Sequence, residues 1–309
     1  MRQLGIIQVL LSGFCFGFLG IFGKRAYELG LSPGEFLALR FVLASLMLAA
    51  YLAIRDPRLF RIAPVSLGKC LALGILGYAV FSSCFFHALN GLSASLTVLL
   101  LYTYPVIVSL GAWALFGERP AKFELLALPL VMLGLALLVW GDMQVRSAVS
   151  LLFGLGSAVF YSLYILASSR WLKGIHPLTT TLYIMASAAI ALAAVNLRPA
   201  RFPLPSEAWL VVAATALVAT VMAMSLFLAG LQKLKNSEVS LLSTAEPITG
   251  VALATVFWGE NLSAAQWLGS AFVIGGMLLV AKAGRKARGA DFVGSANETS
   301  PAPCPERKP

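Results

Sequence analysis

Ten apolar stretches run through this chain, and their length restricts what it can fold into. Each holds about 20 residues, which lets a helix cross the hydrocarbon core of a bilayer. A helix also satisfies its own backbone hydrogen bonds, which lipid cannot do. Hydrophobic residues make up 59% of the chain and charged residues 12%, against ~25% charged in soluble domains. The pattern predicts an all-α integral membrane protein with spans at residues 4–23, 33–54, 68–86, 92–116, 123–141, 150–168, 178–197, 207–230, 237–257 and 264–282.

The second half of the chain repeats short motifs of the first half, 142 to 144 residues later. The matched residues are Phe16-Gly17 with Phe160-Tyr161, Pro33 with Pro177, Pro105 with Pro247, Gly117-Glu118 with Gly259-Glu260, and Gly134 with Gly276. Because five spans is an odd number, the second half enters the membrane from the opposite face. The chain is therefore predicted to form ten transmembrane helices as two inverted five-helix repeats, residues 4–141 and 150–282. Such repeats are typical of secondary transporters.

The distribution of Lys and Arg predicts the orientation in the membrane. The loops and termini on one side carry 17 of these residues, and the loops on the other side carry 5. Since cytoplasmic loops are the ones enriched in Lys and Arg, both termini are predicted to lie in the cytoplasm. The same loops account for the net charge of +10. Because the charges are scattered rather than gathered on one face, they do not indicate a nucleic-acid partner.

The last 27 residues differ in composition from the rest. Residues 283–309 are rich in Arg, Lys, Gly, Ser and Pro. A segment of this kind has too little apolar surface to fold. It is predicted to be a disordered cytoplasmic tail whose first basic residues contact membrane lipid.

Two charged residues, Arg40 and Glu246, fall well inside predicted spans rather than at their ends. At 1.5 Å rise per residue, Arg40 lies about 10 Å from the outer end of its helix and Glu246 about 14 Å from the inner end of its own. Both depths are near the middle of a core about 30 Å thick. A charge there is costly and indicates function by default. The two side chains can hold the charges of a zwitterionic or polar substrate, or they can form a structural ion pair.

Prolines occupy matching places in the fourth and ninth spans, at Pro105 and Pro247. Each removes a backbone donor and clashes with the preceding turn, so each is predicted to kink its helix. Discontinuous helices in equivalent positions point to a transporter's binding site, although prolines are also common in membrane helices without such a role. With the neighbouring polar side chains, the predicted substrate-binding or coupling residues are Arg40, Tyr102, Tyr104, Ser243 and Glu246.

Aromatic residues in the first and sixth spans and two Gly-Glu pairs at span ends have less specific predicted roles. Phe16, Tyr161 and Tyr164 either line a cavity or pack against neighbours and lipid. Gly117 and Gly259 each suit the left-handed position that ends a helix, and the following Glu118 and Glu260 are predicted to be caps or links to another helix.

The sequence contains no nucleotide-binding loop and no Ser/His/Asp arrangement, and its two His and four Cys lack metal-ligand spacing. No enzyme activity, cofactor or metal is predicted.

The chain resembles the EamA family of the drug/metabolite transporter superfamily. The resemblance lies in Phe16-Gly17, Pro33 to Arg40, Tyr104-Pro105 with Gly117-Glu118, and Glu246-Pro247 with Gly259-Glu260. It implies an inner-membrane carrier, often an exporter of amino acids or other small metabolites. The first span lacks the embedded Glu that the small multidrug exporters of this superfamily use for proton exchange, which leaves Glu246 as the core carboxylate for coupling.

The leading hypothesis is a secondary transporter that exports a small metabolite, such as an amino acid, by alternating access. A permease that imports such a solute is the first alternative. A membrane sensor or assembly protein that moves no solute is the second.

Overall fold

A computed structural model of the chain describes residues 1–140, 144–196, 204–258 and 262–297. Within these ranges every regular element is helical, apart from one isolated β-bridge between Leu92 and Val145. The α-helices are α1 (Arg2–Glu28), α2 (Pro33–Arg55), α3 (Pro64–Ala72), α4 (Val80–Leu89), α5 (Ala94–Leu101), α6 (Tyr104–Phe116), α7 (Lys122–Leu138), α8 (Ala148–Trp171), α9 (Pro177–Asn196), α10 (Ser206–Ala216), α11 (Ala223–Leu231), α12 (Asn236–Leu242), α13 (Ala245–Trp258) and α14 (Ala264–Asn297).

In the described part of the chain, nine helical segments are long and apolar enough to cross a membrane. Five lie in single helices, namely α1, α2, α8, α9 and the first part of α14. The other four are composites, formed by α3 with α4, α5 with α6, α10 with α11, and α12 with α13. The predicted span at 123–141 corresponds to α7, which is shorter at 17 residues. The chain is therefore a multi-pass membrane protein whose described part is helical.

The C-terminal helix extends beyond the predicted membrane span at 264–282. Helix α14 continues to Asn297, past residue 283, where the predicted tail begins. The Ala, Arg and Lys residues of this segment are strong helix formers, so it can extend a helix that the membrane span has already nucleated. The remainder of the predicted tail, residues 298–309, lies outside the described residues.

The composite helices are interrupted at equivalent places. A π-helical turn at Leu73–Ala79 joins α3 to α4, and another at Leu217–Met222 joins α10 to α11, 144 residues later. Such turns loosen the regular hydrogen-bond ladder and are frequent at functional sites. The breaks between α5 and α6 and between α12 and α13 lie directly before Pro105 and Pro247. The first backbone N–H groups of a helix have no partner within the helix, so a proline in the first turn costs no hydrogen bond. Proline therefore favours a new helix start at this place.

Helices of the two predicted repeats pack against each other in matching pairs. Helix α1 contacts α11 and α13, while α8 contacts α4 and α6; α2 packs on α9, and α7 on α14. Small residues at these contacts let the helix backbones approach closely. Such packing is needed because lipid provides no hydrophobic drive for helices to associate. Gly17 of α1 lies against Thr249 and Gly250 of α13, and Gly134 of α7 lies against Gly269 of α14.

We expect Gly134→Ala to destabilise the protein, because the α7 and α14 backbones meet at this residue. A Cβ atom at Gly134 would lie 2.8 Å from the Gly269 carbonyl oxygen and 2.9 Å from the Val273 backbone nitrogen. Overpacking of this kind costs about 1–3 kcal/mol. The matched control is Gly68→Ala in α3, where a Cβ would meet no atom within 4 Å. Thermal unfolding of the purified protein should show a lower midpoint for Gly134→Ala alone, and equal midpoints would contradict this packing.

Candidate functional site

A cavity of about 450 Å³ lies among the helices of both predicted repeats. It extends from Tyr104 and Glu246, in the interior, to Tyr27 near the end of α1 and Leu89 at the end of α4. Its volume falls within the range of about 300–1,000 Å³ common for small-molecule sites. Most of its lining is apolar or aromatic, so its few charged groups stand out.

Arg40 supplies the positive charge of the cavity. It is the eighth residue of α2, and only 4% of its surface is exposed. Its guanidinium carbon lies 4.9 Å from the centre of the Phe41 ring, which covers part of the group. The Arg40 Nε atom is buried and has no hydrogen-bond partner. A buried donor without a partner is costly.

Glu246 supplies the negative charge of the same cavity. It lies in the first turn of α13, where the N-terminal end of the helix dipole stabilises an anion. This helix start is created by the break after Leu242 in the middle of a membrane-crossing segment. Among the ion pairs within 4.0 Å in the described residues, none joins Arg40 to Glu246. The two opposite charges therefore share one cavity without neutralising each other directly.

Aromatic rings form one wall of the cavity. The ring centres of Tyr78 and Phe81 are 4.7 Å apart, those of Phe81 and Tyr161 are 4.9 Å apart, and those of Tyr161 and Tyr104 are 4.8 Å apart. Contacts at these distances hold the rings in fixed relative orientations. We call Tyr78, Phe81, Tyr104 and Tyr161 the aromatic wall. It joins the π-helical turn of the first predicted repeat to α8 of the second.

The structure brings most of the predicted site residues together. Arg40, Tyr102, Tyr104 and Glu246 all line the cavity. Ser243 does not line it, and its hydroxyl donates a 2.7 Å hydrogen bond to the Val239 carbonyl within its own helix segment. Pro247 also lines the cavity, while Pro105 is buried behind it. The Tyr104 hydroxyl donates to the Ser240 carbonyl at 3.2 Å.

Sequence analysis missed Tyr78 and Phe81 of the aromatic wall. Both lie in the third predicted span, whose one charged residue, Lys69, stands at its end and does not mark the middle of the span as functional. The available signal was a tyrosine directly after Gly77 in the middle of an apolar run. A Cβ at Gly77 would lie 3.0 Å from the Tyr164 ring, so this glycine allows α8 to approach closely.

A set of polar contacts closes the end of the bundle opposite to Tyr27 and Leu89. We call it the polar network; it joins the first to the second predicted repeat through Arg2, Glu118, Glu124, Arg170, Asn236, Ser237 and Glu238. All of these residues lie at the start of α1, α7 or α12 or near the end of α6 or α8.

Carboxylates are the acceptors of the polar network. Glu118 accepts from the Asn236 side chain at 3.1 Å and from Arg170 at 3.4 Å. Glu124 accepts from the Ser237 hydroxyl at 2.7 Å. Glu118, predicted to be a cap or a link to another helix, thus contacts the start of α12, and its counterpart Glu260 lies outside the described residues.

A second part of the polar network joins the start of α1 to α12 and α14. Arg2 forms an ion pair with Glu238 and donates to the carbonyl groups of Val280 and Ala281. Glu238 in turn accepts from the Lys235 backbone at 3.2 Å. The start of α1, the start of α12 and α14 are therefore held together at the closed end.

A helical bundle of membrane-crossing length, with buried charges facing an internal cavity, is the architecture of a membrane transporter. Comparison with known families agrees. The model of the EamA-like transporter family matches residues 3–140 and 148–282, so the chain belongs to this family. The resemblance identified from the sequence is confirmed. Separately, the described residues contain no group of three or more His, Cys, Asp or Glu that could hold a metal ion.

Individual relatives are also transporters. The uncharacterized transporter YwfM of Bacillus subtilis is 29% identical over 92% of this chain and 95% of its own length. The uncharacterized inner membrane transporter YicL of Salmonella typhimurium is 23% identical over 91% of this chain and 96% of its own length. A protein crystal structure superposes with a TM-score of 0.79, covering 93% of this chain and 99% of that one at 19% identity. This last likeness shows the fold alone.

Proposed function

We propose that this chain is a secondary transporter that exports a small metabolite, such as an amino acid, by alternating access. The observation that carries the proposal is the internal cavity, in which Arg40 and Glu246 face the same space without forming an ion pair. Charges kept inside a membrane protein at such cost are typical of solute pathways. Arg40, Tyr102, Tyr104 and Glu246 would contact the solute, with Ser243 supporting the helix break beside it.

The proposal includes ten transmembrane helices in two inverted repeats, residues 4–141 and 150–282, with α7 as the fifth span. Three features support it. The π-helical turns recur 144 residues apart. The proline-associated breaks recur in the fourth and ninth predicted spans. The packing of α1 on α11 and α13 also has its counterpart in that of α8 on α4 and α6. Two similar halves can exchange conformations, which opens a central site to each side in turn.

The two ends of the bundle differ as expected for a transporter that is open to one side of the membrane and closed to the other. The cavity reaches one end, at Tyr27 and Leu89, whereas the polar network joins the two predicted repeats at the other. Under alternating access, the polar network breaks when the cavity opens to its side. We propose that this side, with both termini, faces the cytoplasm and that the chain lies in the inner membrane; the bias of Lys and Arg supports this orientation.

Glu246 is the proposed coupling group. It is the carboxylate that lines the cavity, and its place at a helix start inside a membrane-crossing segment lets it be reached from the cavity. A carboxylate there can exchange a proton for the solute as the cavity changes sides. Neither the first nor the sixth predicted span offers another carboxylate in the core.

A metabolite comparison between cells with and without the protein tests transport and direction together. Export predicts one class of solute that falls inside expressing cells and rises in the medium. A rise inside expressing cells would instead show import. Solute levels that do not depend on the protein would overturn the proposal and favour a membrane sensor or assembly protein.

A further inference from the structure

We propose that Tyr104 and Glu246 are equivalent latch residues, each of which closes one end of the cavity, and that Glu246 closes its end only when it carries a proton. The assignment rests on the proposed function, because it assumes that the two predicted repeats exchange conformations. It goes beyond that function by naming the contact through which a proton controls which end of the cavity is open.

Tyr104 and Glu246 occupy the same position in the two predicted repeats. They are 142 residues apart, and each stands directly before the proline that follows a helix break. The same offset matches Val98 of α5 with Ser240 of α12. Helix α5 therefore corresponds to α12, and α6 corresponds to α13.

At the closed end of the bundle, the Tyr104 hydroxyl joins α6 to α12. It donates a hydrogen bond of 3.2 Å to the backbone carbonyl of Ser240, and both residues are buried. Helices α6 and α12 pack against each other here. Because the contact spans the two predicted repeats, it has to break before the cavity can open at this end.

The equivalent helices at the open end, α13 and α5, are apart. Within the described residues α13 packs mainly on α1, and α5 packs on α8; the two share no packing comparable to that of α6 on α12. The cavity lies between them, lined by Val98 of α5 and by Gly250 and Val251 of α13. If the repeats exchange conformations, α13 meets α5 and residue 246 faces the Val98 carbonyl.

The two latch residues differ in their capacity to donate a hydrogen bond. A tyrosine hydroxyl donates, whereas an ionised carboxylate only accepts. The Val98 carbonyl accepts from the Tyr102 backbone at 2.9 Å and keeps a second lone pair for another donor. A charged Glu246 would set its oxygens against this carbonyl oxygen, while a protonated Glu246 can donate to it. Proton binding at Glu246 therefore permits closure of the open end.

Glu246 is the group at this site that titrates below neutral pH. Arg40 lies across the same cavity, outside ion-pair distance. Helices α1, α7 and α14 pack on α13, and their charged residues lie in the first or last turn of the predicted spans or beyond them. Arg, Tyr and Cys side chains ordinarily titrate above about pH 8. The other titratable side chains of the cavity and of the middle of α1 are Tyr78, Tyr102, Tyr104, Tyr161 and Cys15.

The latch gives an order of events for exchange of a proton and a solute. A proton from the solution at the open end binds Glu246, and α13 then closes on α5. Tyr104 leaves Ser240, the other end opens, and the proton is released there. Loss of the proton weakens the new closure, so the carrier returns with bound solute to the first state. With the open end facing outward, as proposed, each cycle moves a proton in and a solute out.

The distance between two spin labels tests the latch in the purified full-length protein. The labels are attached to Ala94→Cys, at the start of α5, and Val256→Cys, near the end of α13, after the native cysteines have been replaced by Ser. Both positions are exposed, and closure of the open end shortens the distance between them. In the wild-type protein we expect the short distance to be at least about threefold more populated at about pH 4.5 than at about pH 8, the gain of one hydrogen bond.

Substitutions separate the donor from the charge. Glu246→Gln and Glu246→Met both remove the charge, but only Gln offers a donor. The Gln variant should populate the short distance at least about threefold more than the Met variant, and neither should respond to pH. Tyr104→Phe removes the other latch, so it should raise the short population at about pH 8 and keep the response to pH. The exposed Glu28→Gln is the matched control and should behave as the wild-type protein does.

The outcomes separate the latch from the proposed function. Equal short populations at the two pH values in the wild-type protein would overturn the inference, and so would equal populations in the Gln and Met variants. The wild-type comparison needs no substitution at a latch residue, so it does not depend on the folding of a variant. If this pattern is absent but the metabolite comparison shows flux, transport stands and the latch is wrong. If the pattern is found without flux, the latch stands and the transport proposal fails.

Discussion

Replacing Glu246 by Gln should lower solute efflux at least about tenfold while leaving the thermal stability of the protein unchanged or higher. The side chain keeps its size but loses the charge proposed to hold the solute or exchange a proton. It has no ion pair to lose, because Arg40 lies more than 4.0 Å away. Removing a membrane-buried charge also removes its desolvation cost, which is several kcal/mol for an ion. This outweighs the ~0.3–1 kcal/mol lost at the helix start.

The measurement pairs efflux from cells, normalised to protein level, with thermal unfolding of the purified variant. The control is Glu28→Gln, which removes an exposed carboxylate at the end of α1. A purely structural charge at Glu246 makes the opposite prediction. In that case efflux would persist, and stability would fall by about 3–5 kcal/mol as for a broken buried pair.

Breaking the polar network should open the closed end of the bundle. We expect the double variant Glu118→Gln, Glu124→Gln to raise the labelling rate of a cysteine at Ser240 at least about fivefold. Ser240 is fully buried, between the polar network and the cavity. Glu118 and Glu124 accept three hydrogen bonds from side chains of the second predicted repeat. A hydrogen bond to a charged group contributes about 1.5–3 kcal/mol, so weakening these shifts the population toward the state in which this end is open.

Labelling requires a background in which Cys15, Cys70, Cys84 and Cys304 are replaced by Ser. A membrane-impermeant thiol reagent is applied to inside-out vesicles, because the closed end is proposed to face the cytoplasm. Glu207→Gln is the matched control, since it breaks an ion pair with Arg25 at the opposite end of the bundle. Equal labelling rates in the double variant, the control and the parent would show that the polar network does not hold this end closed.

The positions of the helices follow closely from the sequence. The span predicted at 33–54 is α2, Pro33–Arg55, because Pro33 stands at the first helical position and Ser32 caps the helix with Glu35. These local signals act within one turn, so they can be read without knowledge of the rest of the fold.

The candidate site was only partly predictable, for a geometric reason. Counting residues from the helix ends gave Arg40 and Glu246 similar depths, and both line the cavity. The count assumes unbroken helices, and it contains no information on how α2 and α13 cross. Whether the two charges pair therefore depends on tertiary packing that the sequence does not display. The same holds for Ser243, whose hydroxyl bonds within its own helix segment.

Long-range contacts explain the remaining differences. Tyr78 belongs to the aromatic wall because a π-helical turn and Gly77 bring it against α8. Glu118 reaches Asn236 at a separation of 118 residues. Neither contact leaves a periodic pattern in the sequence, since each depends on how the two predicted repeats pack together.

Solute counterflow in liposomes that contain only the purified protein tests the central claim most directly. Liposomes are loaded with the unlabelled solute that the metabolite comparison identifies, and they are diluted into a trace of the same solute carrying a label. An alternating-access carrier with the proposed site predicts transient accumulation of label inside. It also predicts accumulation at least about tenfold slower with Glu246→Gln and Arg40→Gln. Accumulation no greater than in protein-free liposomes, or equal in the wild-type protein and both variants, would contradict the account.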